Sequence, residues 1–364
     1  MRSLRGFSMI ELMIAMTLAL VVSGAVVSVF VGSHNAYQAT SGVASLTDSG
    51  SFALNLLQES VRGAGNVACN HATSSTNTNM LDATDSPLLY DFAHGVGGYE
   101  AANTGPPSGS FTVPGTAAVD PSTDDWTPTL DSALSPGVSG ANAGAVSGSD
   151  VLVIRSSTLR TTAVYLTTDA LQGATSIEVS NSAGLMVGQP AAISDCTSSV
   201  TFLVTGVNGS APATISIGGA SGNGLPVPFA SGAVVSPVTT MVYYIGVGMD
   251  GDFALKRLVP SGNGSTFTDQ ELVPDIENMQ VLYGIDTTGT QTPSAYVTAD
   301  QVPDFSSVVS IKVAVLAASP PALARPQKMT QGPFKLLGTQ IIAPQDTRVR
   351  RVFDTTITVR SAAD

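Results

Sequence analysis

The sequence is poor in charge. Only 12% of its 364 residues are charged, and 27 acidic against 15 basic residues leave a net charge of −12. A surface so biased repels phosphate backbones, and no general nucleic-acid binding is expected. Histidine is nearly absent. The three present, His34, His71 and His94, show neither H-x-x-H nor HExxH spacing and read as solvated surface residues. Walker A loops, G-x-S-x-G elbows and glycosidase carboxylate pairs are missing, so the chain does not read as an enzyme and calls for no cofactor or metal. Cysteine is limited to Cys69 and Cys196, too far apart for a CxxC redox pair and too few for a zinc site. In an oxidising compartment a disulfide is the leading reading, worth about 4 to 5 kcal/mol through the unfolded chain in the entropy model. Two buried free thiols are the alternative.

Charge is scarcest where apolar residues are densest. From Phe7 to Val31 the only charged side chain is Glu11. As a helix this run would be about 37 Å long, enough to cross a hydrocarbon core of about 30 Å. Arg2 and Arg5 precede it without an acidic residue, which predicts a cytoplasmic start, a single pass through the inner membrane and a periplasmic body. The run is too long for a secretory signal and lacks its small-residue cleavage site on the far side. A carboxylate in a span costs about 2.5 to 3.5 kcal/mol at mid-bilayer, less near the interface, so Glu11 calls for a partner.

The string Gly6-Phe7-Ser8-Met9-Ile10-Glu11-Leu12-Met13-Ile14 resembles the class III signal of type IV prepilins and pseudopilins. In that family a prepilin peptidase cuts after the glycine and methylates the new terminal phenylalanine. The resemblance implies a leader over residues 1–6, cleavage after Gly6 and N-methylation of Phe7. Glu11 then becomes an assembly charge that attracts the amino terminus of a neighbouring subunit. Spacing alone leaves open a pairing with the chain's own Phe7 ammonium, and either is favoured by a carboxylate in the first helical turn.

No proline precedes Pro87, which predicts one helix to about Gly63, membrane-embedded over 7–31 and amphipathic over 32–63. In the second half Val43, Leu46, Gly50, Ala53, Leu54, Leu57 and Val61 share a face at helical spacing. Residues 64–149 read as polar and loop-rich, with Trp126 expected to anchor a core. Residues 150–364 read as a β-rich body, with strands over 150–156, 161–167, 175–180, 190–194, 200–207, 213–218, 239–247, 277–286, 306–319 and 350–361. Asp250-Gly251 reads as a hairpin turn rather than part of a calcium loop with Asp252. A possible inserted β module covers 171–219. Arg348, Arg350 and Arg351 read as charge on a solvated strand edge, with an acidic partner or DNA as alternatives.

The blocks DVLVIRSS, ISDCT with TFLVTGV, VYYIGV, ELVPDIENMQVLYGID, VVSIKVAVLAASP and RRVFDTTITVRS resemble PilW-type minor pilins. The expected fold is α+β and pilin-like, with a long amino-terminal helical spine packed on a large antiparallel β-rich body. In that family a cysteine after the helix and one in the DC pair are joined, which agrees with the reading of Cys69 and Cys196. Ser28 stands where major pilins carry a helix-kinking proline, and no cysteine pair encloses a carboxy-terminal loop, so a minor subunit is implied. The partners implied are other minor pilins, the major pilin, the prepilin peptidase and, before assembly, the inner membrane. The function implied is initiation of a type IV pilus at or near its tip, supporting twitching motility, adhesion and DNA uptake. A type II secretion pseudopilin, a membrane-anchored extracellular enzyme and a tip adhesin binding through residues 70–149 are the alternatives.

Overall fold

The computed structural model describes residues 8–71, 76–81, 87–119, 122, 124–131, 134, 144–157, 164–219, 222, 224–261, 266–321, 328 and 330–359. The leader 1–6, Phe7 and the expected strand positions 161–163 lie outside them. With no proline to interrupt it, one helix, α1 (Met9–Arg62), runs for 54 residues, or about 81 Å. It stops where Gly63 donates back to the carbonyls of Glu59 and Ser60 and Gly65 takes a positive φ of 74°.

The buried face of α1 consists of Gly42, Leu46, Gly50, Ala53, Leu57 and Val61, three or four positions apart. Val43, expected on this face, is turned outward, and Leu54 packs only partly against the core. The small residues set the contact line because they let the helix approach closely. A methyl group at Gly50 would lie 2.3 Å from the Phe353 ring.

After α1 come β1 (Asn66–Val67), β2 (Asn70–His71), β3 (Asn77–Asn79), the short helix α2 (Pro87–Tyr90), β4 (Val96–Ala101), β5 (Ser110–Thr112) and β6 (Trp126–Thr127). The segment expected to be loops therefore supplies strands, and β4 pairs with β7 (Val151–Ser157) inside a large sheet. Its Val96 and Ala101 are buried, and its two adjacent glycines concealed the strand pattern. Trp126 is buried and donates from Nε1 to the Ser149 carbonyl at 3.0 Å, so it anchors a core.

Next are β8 (Val164–Tyr165), β9 (Ser176–Val179), β10 (Pro190–Ser194), β11 (Ser199–Gly209), β12 (Ala213–Gly218) and the long β13 (Val234–Val247). Antiparallel pairing runs β8, β13, β10, β11, β12, β9, and a bridge from Leu166 to Val179 returns β9 to β8. The ring is a closed barrel, with no free edge between these strands. Its own apolar core includes Ile177, Ile193, Phe202, Ile215 and Phe229. The barrel thus takes in residues 164–235, beyond the 171–219 read from sequence.

The carboxy-terminal half of β13 belongs to the large sheet, pairing with β7 and with β14 (Phe253–Ser261), which pairs in turn with β15 (Thr266–Pro274). A second sheet is ordered β17 (Ala295–Val297), β16 (Ile276–Ile285), β18 (Val308–Ala318) and β21 (Arg350–Thr358), all antiparallel. The remaining strands, β19 (Phe334–Leu336) and β20 (Thr339–Ile342), join β5 in a small sheet of their own.

Period-two alternation assigns the large sheet to two cores. Leu152, Ile154, Tyr243 and Ile245 face a core shared with α1 and the second sheet, whereas Val151, Val153, Val242 and Tyr244 face one built around Trp126 and Leu88. Leu57, fully buried, sits where α1 enters the first core. Leu57→Ala is expected to cost about 2 to 5 kcal/mol. The emission of the single Trp126 during urea unfolding of the detergent-solubilised chain measures it, as a lower midpoint with unchanged slope.

Candidate functional site

The outstanding chemical feature is the bare half of α1. Met9 is 82% exposed, Leu20 75% and Phe30 71%, in an unbroken apolar surface that begins at the helix tip. Ser8 is extended (φ −74°, ψ 142°), and its N–H lies 3.4 Å from Oε2 of Glu11. The carboxylate is thereby held over the first turn, at the positive end of the helix dipole, on an otherwise apolar cylinder. Gly6 and Phe7, which would complete the site, lie outside the described residues. A surface of this kind can associate with lipid or with like helices, and one carboxylate at its tip can fix the axial register of that association.

Just beyond the helix, Cys69 is joined to Cys196 (S–S 2.13 Å), tying the chain after α1 to the loop between two barrel strands. Arg155 fastens the same region from below, donating to the carbonyls of Leu88 (3.1 Å from Nη2) and His94 (3.2 Å from Nη1).

The histidines differ from their solvated reading at one position. His94 Nδ1 lies 2.8 Å from Asp91 and Nε2 lies 3.0 Å from Asp304, bridging the α2 region to the second sheet. The hydrogen bond with Asp91 raises its pKa, against the lowering effect of burial. That contribution to stability is complete below about pH 6.5, the unfolded value, and fades as pH rises through the raised folded pKa. His34 is exposed on α1 and stacks on Phe30 at 6.4 Å, while the His71 side chain lies outside the described residues.

The arginine cluster is also corrected. Arg348 and Arg350 are buried, not solvated. Arg350 grips both oxygens of Glu277, at 2.6 and 2.9 Å, and Asp346 at 2.7 Å. Arg348 donates to the Ser319 carbonyl at 2.6 Å and pairs with Asp275. Burial drives this arrangement, because a guanidinium removed from water needs carboxylates around its donors. A cleft of about 250 Å³ opens over this network, lined by Pro114, Asp252, Phe253 and Pro344 among others, yet both guanidinium groups are committed inward. Arg351 alone is exposed, over the Phe353 ring at 5.3 Å. Asp250 and Asp252 sit in the β13–β14 hairpin, where Gly251 has φ 85°, and no cluster of three metal-binding side chains occurs among the described residues.

Sequence reasoning missed a buried acid pair. Asp150 accepts from the N–H groups of Ala101 (3.0 Å) and Val281 (2.8 Å), one on each oxygen. Glu100 accepts from Thr104 Oγ1 at 3.1 Å through Oε1, while its buried Oε2 meets no hydrogen-bond geometry among the described residues. Burial, followed by the Asp150 charge, pushes Glu100 up to about 9, and burial pushes Asp150 up to about 7 against its backbone bonds. Since both Asp150 oxygens already accept, the pair keeps its proton on Glu100. The available signal was the charge bordering an apolar run, as in DVLVI at 150–154.

Comparison with known proteins reports on the two ends of the chain. Residues 242–361 match the family model for type IV pilus-assembly protein W, and residues 1–27 match the prokaryotic N-terminal methylation motif. Among solved structures the chain is similar to a type IV-like pilin from Thermus thermophilus, TTHA1219, at 20% identity over 35% of this chain and 70% of that one, with a TM-score of 0.23. A search of curated proteins found no match.

The buried acids make stability pH-dependent. With folded pKa values above the ordinary carboxylate range, their contribution is complete below about pH 4 and is lost as pH rises toward 7 to 9. Glu100→Gln removes the need for that proton. Thermal melts are expected to show little change at pH 5 and a clear gain in stability over the wild-type protein at pH 9.

Proposed function

We propose that the protein, which matches the N-terminal methylation motif over residues 1–27 and the PilW model over residues 242–361, is a type IV pilin, a minor pilin that helps to initiate pilus assembly at or near the tip. The observation that carries this reading is the continuity of α1. Its first half presents an apolar surface with no covering from the body, and the same helix is buried from Gly42 onward in the core of that body. An anchor alone would need only the span. A rigid helix shared between bilayer and body can also leave the bilayer with the body attached, once other helices replace the lipid.

In this reading the peptidase cuts after Gly6 and methylates Phe7, leaving a charged ammonium at the helix start. The body stands in the periplasm and later on the surface of the fibre. Apolar contact cannot choose between lipid tails and neighbouring helices, since both are equally apolar. The attraction between Glu11 and the amino terminus of an adjacent subunit supplies the preference, and the low dielectric around it strengthens it. The partners are other minor pilins and the major pilin. Twitching motility, adhesion and DNA uptake follow from the fibre. The acidic surface argues against DNA contact by this subunit.

Two measurements test the reading. Intact mass of the wild-type protein should give a chain starting at methylated Phe7, and an uncut amino terminus would sink it. Glu11→Ala should leave the membrane level of the protein unchanged and remove it from sheared pili.

A further inference from the structure

Residues 298–307 join β17 to β18 and lie across β4 as two short 3-10 turns, Ala299–Gln301 and Phe305–Ser307. Their backbone does little to hold them there. The N–H groups of Gln301, Val302 and Ser307 donate to carbonyls of the segment itself. Among the described residues its backbone bonds outward only at its end, where Asp286 N–H donates to the Ser307 carbonyl at 2.9 Å. Apolar contact is modest: Ala299 is buried, and Phe305 meets the Tyr283 ring edge-on at 5.4 Å. The polar attachment runs through two ionisable side chains, His94 in the turn before β4 and Glu100 on β4 itself.

His94 has a carboxylate at each ring nitrogen, Asp91 of its own turn at 2.8 Å and Asp304 of the segment at 3.0 Å. Only the doubly protonated ring donates to both, since a neutral imidazole turns a lone pair on one of them. Arg155 reaches His94 from β7, but at its backbone carbonyl. Glu100 faces Asp150 from β7, Asp300 from the segment and the buried Tyr283 hydroxyl from β16. Thr104 bonds its Oε1, its Oε2 meets no hydrogen-bond geometry among the described residues, and both Asp150 oxygens already accept N–H groups. The Ala299 N–H favours an ionised Glu100, and burial and the Asp150 charge outweigh it. An ionised Glu100 would stand buried between two carboxylates, one of them carried by the segment.

We propose that residues 298–307 are a strap fastened to β4 by two protons, one on His94 and one on Glu100, and that the strap lifts from β4 as pH rises. The two groups act in the same direction. Loss of the His94 proton removes the charge that holds Asp304, and loss of the Glu100 proton sets a carboxylate against Asp300. Both folded pKa values lie above the unfolded ones, so the hold is present at low pH and is lost on the alkaline side. The window opens above about pH 6.5, the ordinary histidine value, as His94 titrates, and extends to about 9, where Glu100 ionises. Release takes Phe305 off Tyr283 and uncovers the acid pair beneath. The switch needs only the folded body and is independent of the pilin reading.

Hydrogen–deuterium exchange of the full, detergent-solubilised chain tests it. Protection is taken for each peptide relative to its own unfolded rate, so that the pH dependence of exchange itself cancels. Between pH 6 and pH 9, peptides covering 298–307 should lose protection at least about tenfold, the equivalent of one pKa unit, while β16 and β18 change less. His94→Gln keeps a donor without the charge and should lower the protection of the strap already at pH 6. Glu100→Gln fixes the neutral form and should keep more of it at pH 9. In the double variant the strap should respond to pH no more than β16 and β18 do. A wild-type strap that opens no further than β16 and β18 overturns the proposal, as does a pH response that persists in the folded double variant. The wild-type comparison is decisive by itself where a variant does not fold.

Discussion

The docking of the second half of α1 onto the second sheet is the constraint on which the remainder depends. A helix of 54 residues has no reason to stay straight or attached unless one face is held, and the bare half supplies no such hold. The hold comes from Leu46, Ala53, Leu57 and Val61 in the shared core, and from two glycines that bring the axis close to the strands. Through this contact the direction of the apolar half is inherited from the body. The position of Glu11, about 46 Å along the helix from Gly42, is set by packing at the far end.

Much of this was legible because the signals were local. The apolar run, the missing prolines and the spacing of Leu46, Gly50, Ala53, Leu57 and Val61 define the helix, and its residues obey the period that its geometry imposes. The strands after Asp150 were legible for the same reason, being short apolar runs between turn residues. Gly98 shows where local reasoning stops. A methyl group there would lie 1.8 Å from the Tyr283 hydroxyl, so glycine is required in a strand by a residue far away in sequence. The barrel is non-local for another reason, since Leu166 and Val179 are near in sequence but the ring they close also needs β8 to pair with β13, as Tyr165 does with Val234.

The charges show a related limit. Arg348 and Arg350 resembled surface residues because basic residues usually are. Their burial follows from Asp275, Glu277 and Asp346, which approach from another strand and a loop. Sequence proximity among like charges was therefore misleading, and the correct pattern, opposite charges brought together by strand register, has no local signature. The Glu100 and Asp150 pair sits in the same class, at the junction of β4, β7 and β16.

The continuity of β13 carries a mechanical consequence. Its fourteen residues serve the barrel at one end and the large sheet at the other without a linker between them. Tension applied to the barrel passes into the body along a covalent strand flanked by ladders, which share the load across many bonds instead of opening one at a time. The Cys69–Cys196 bond adds a second route, from the barrel to the base of the helix. A pull on the barrel therefore reaches the helical spine with no slack hinge in the path.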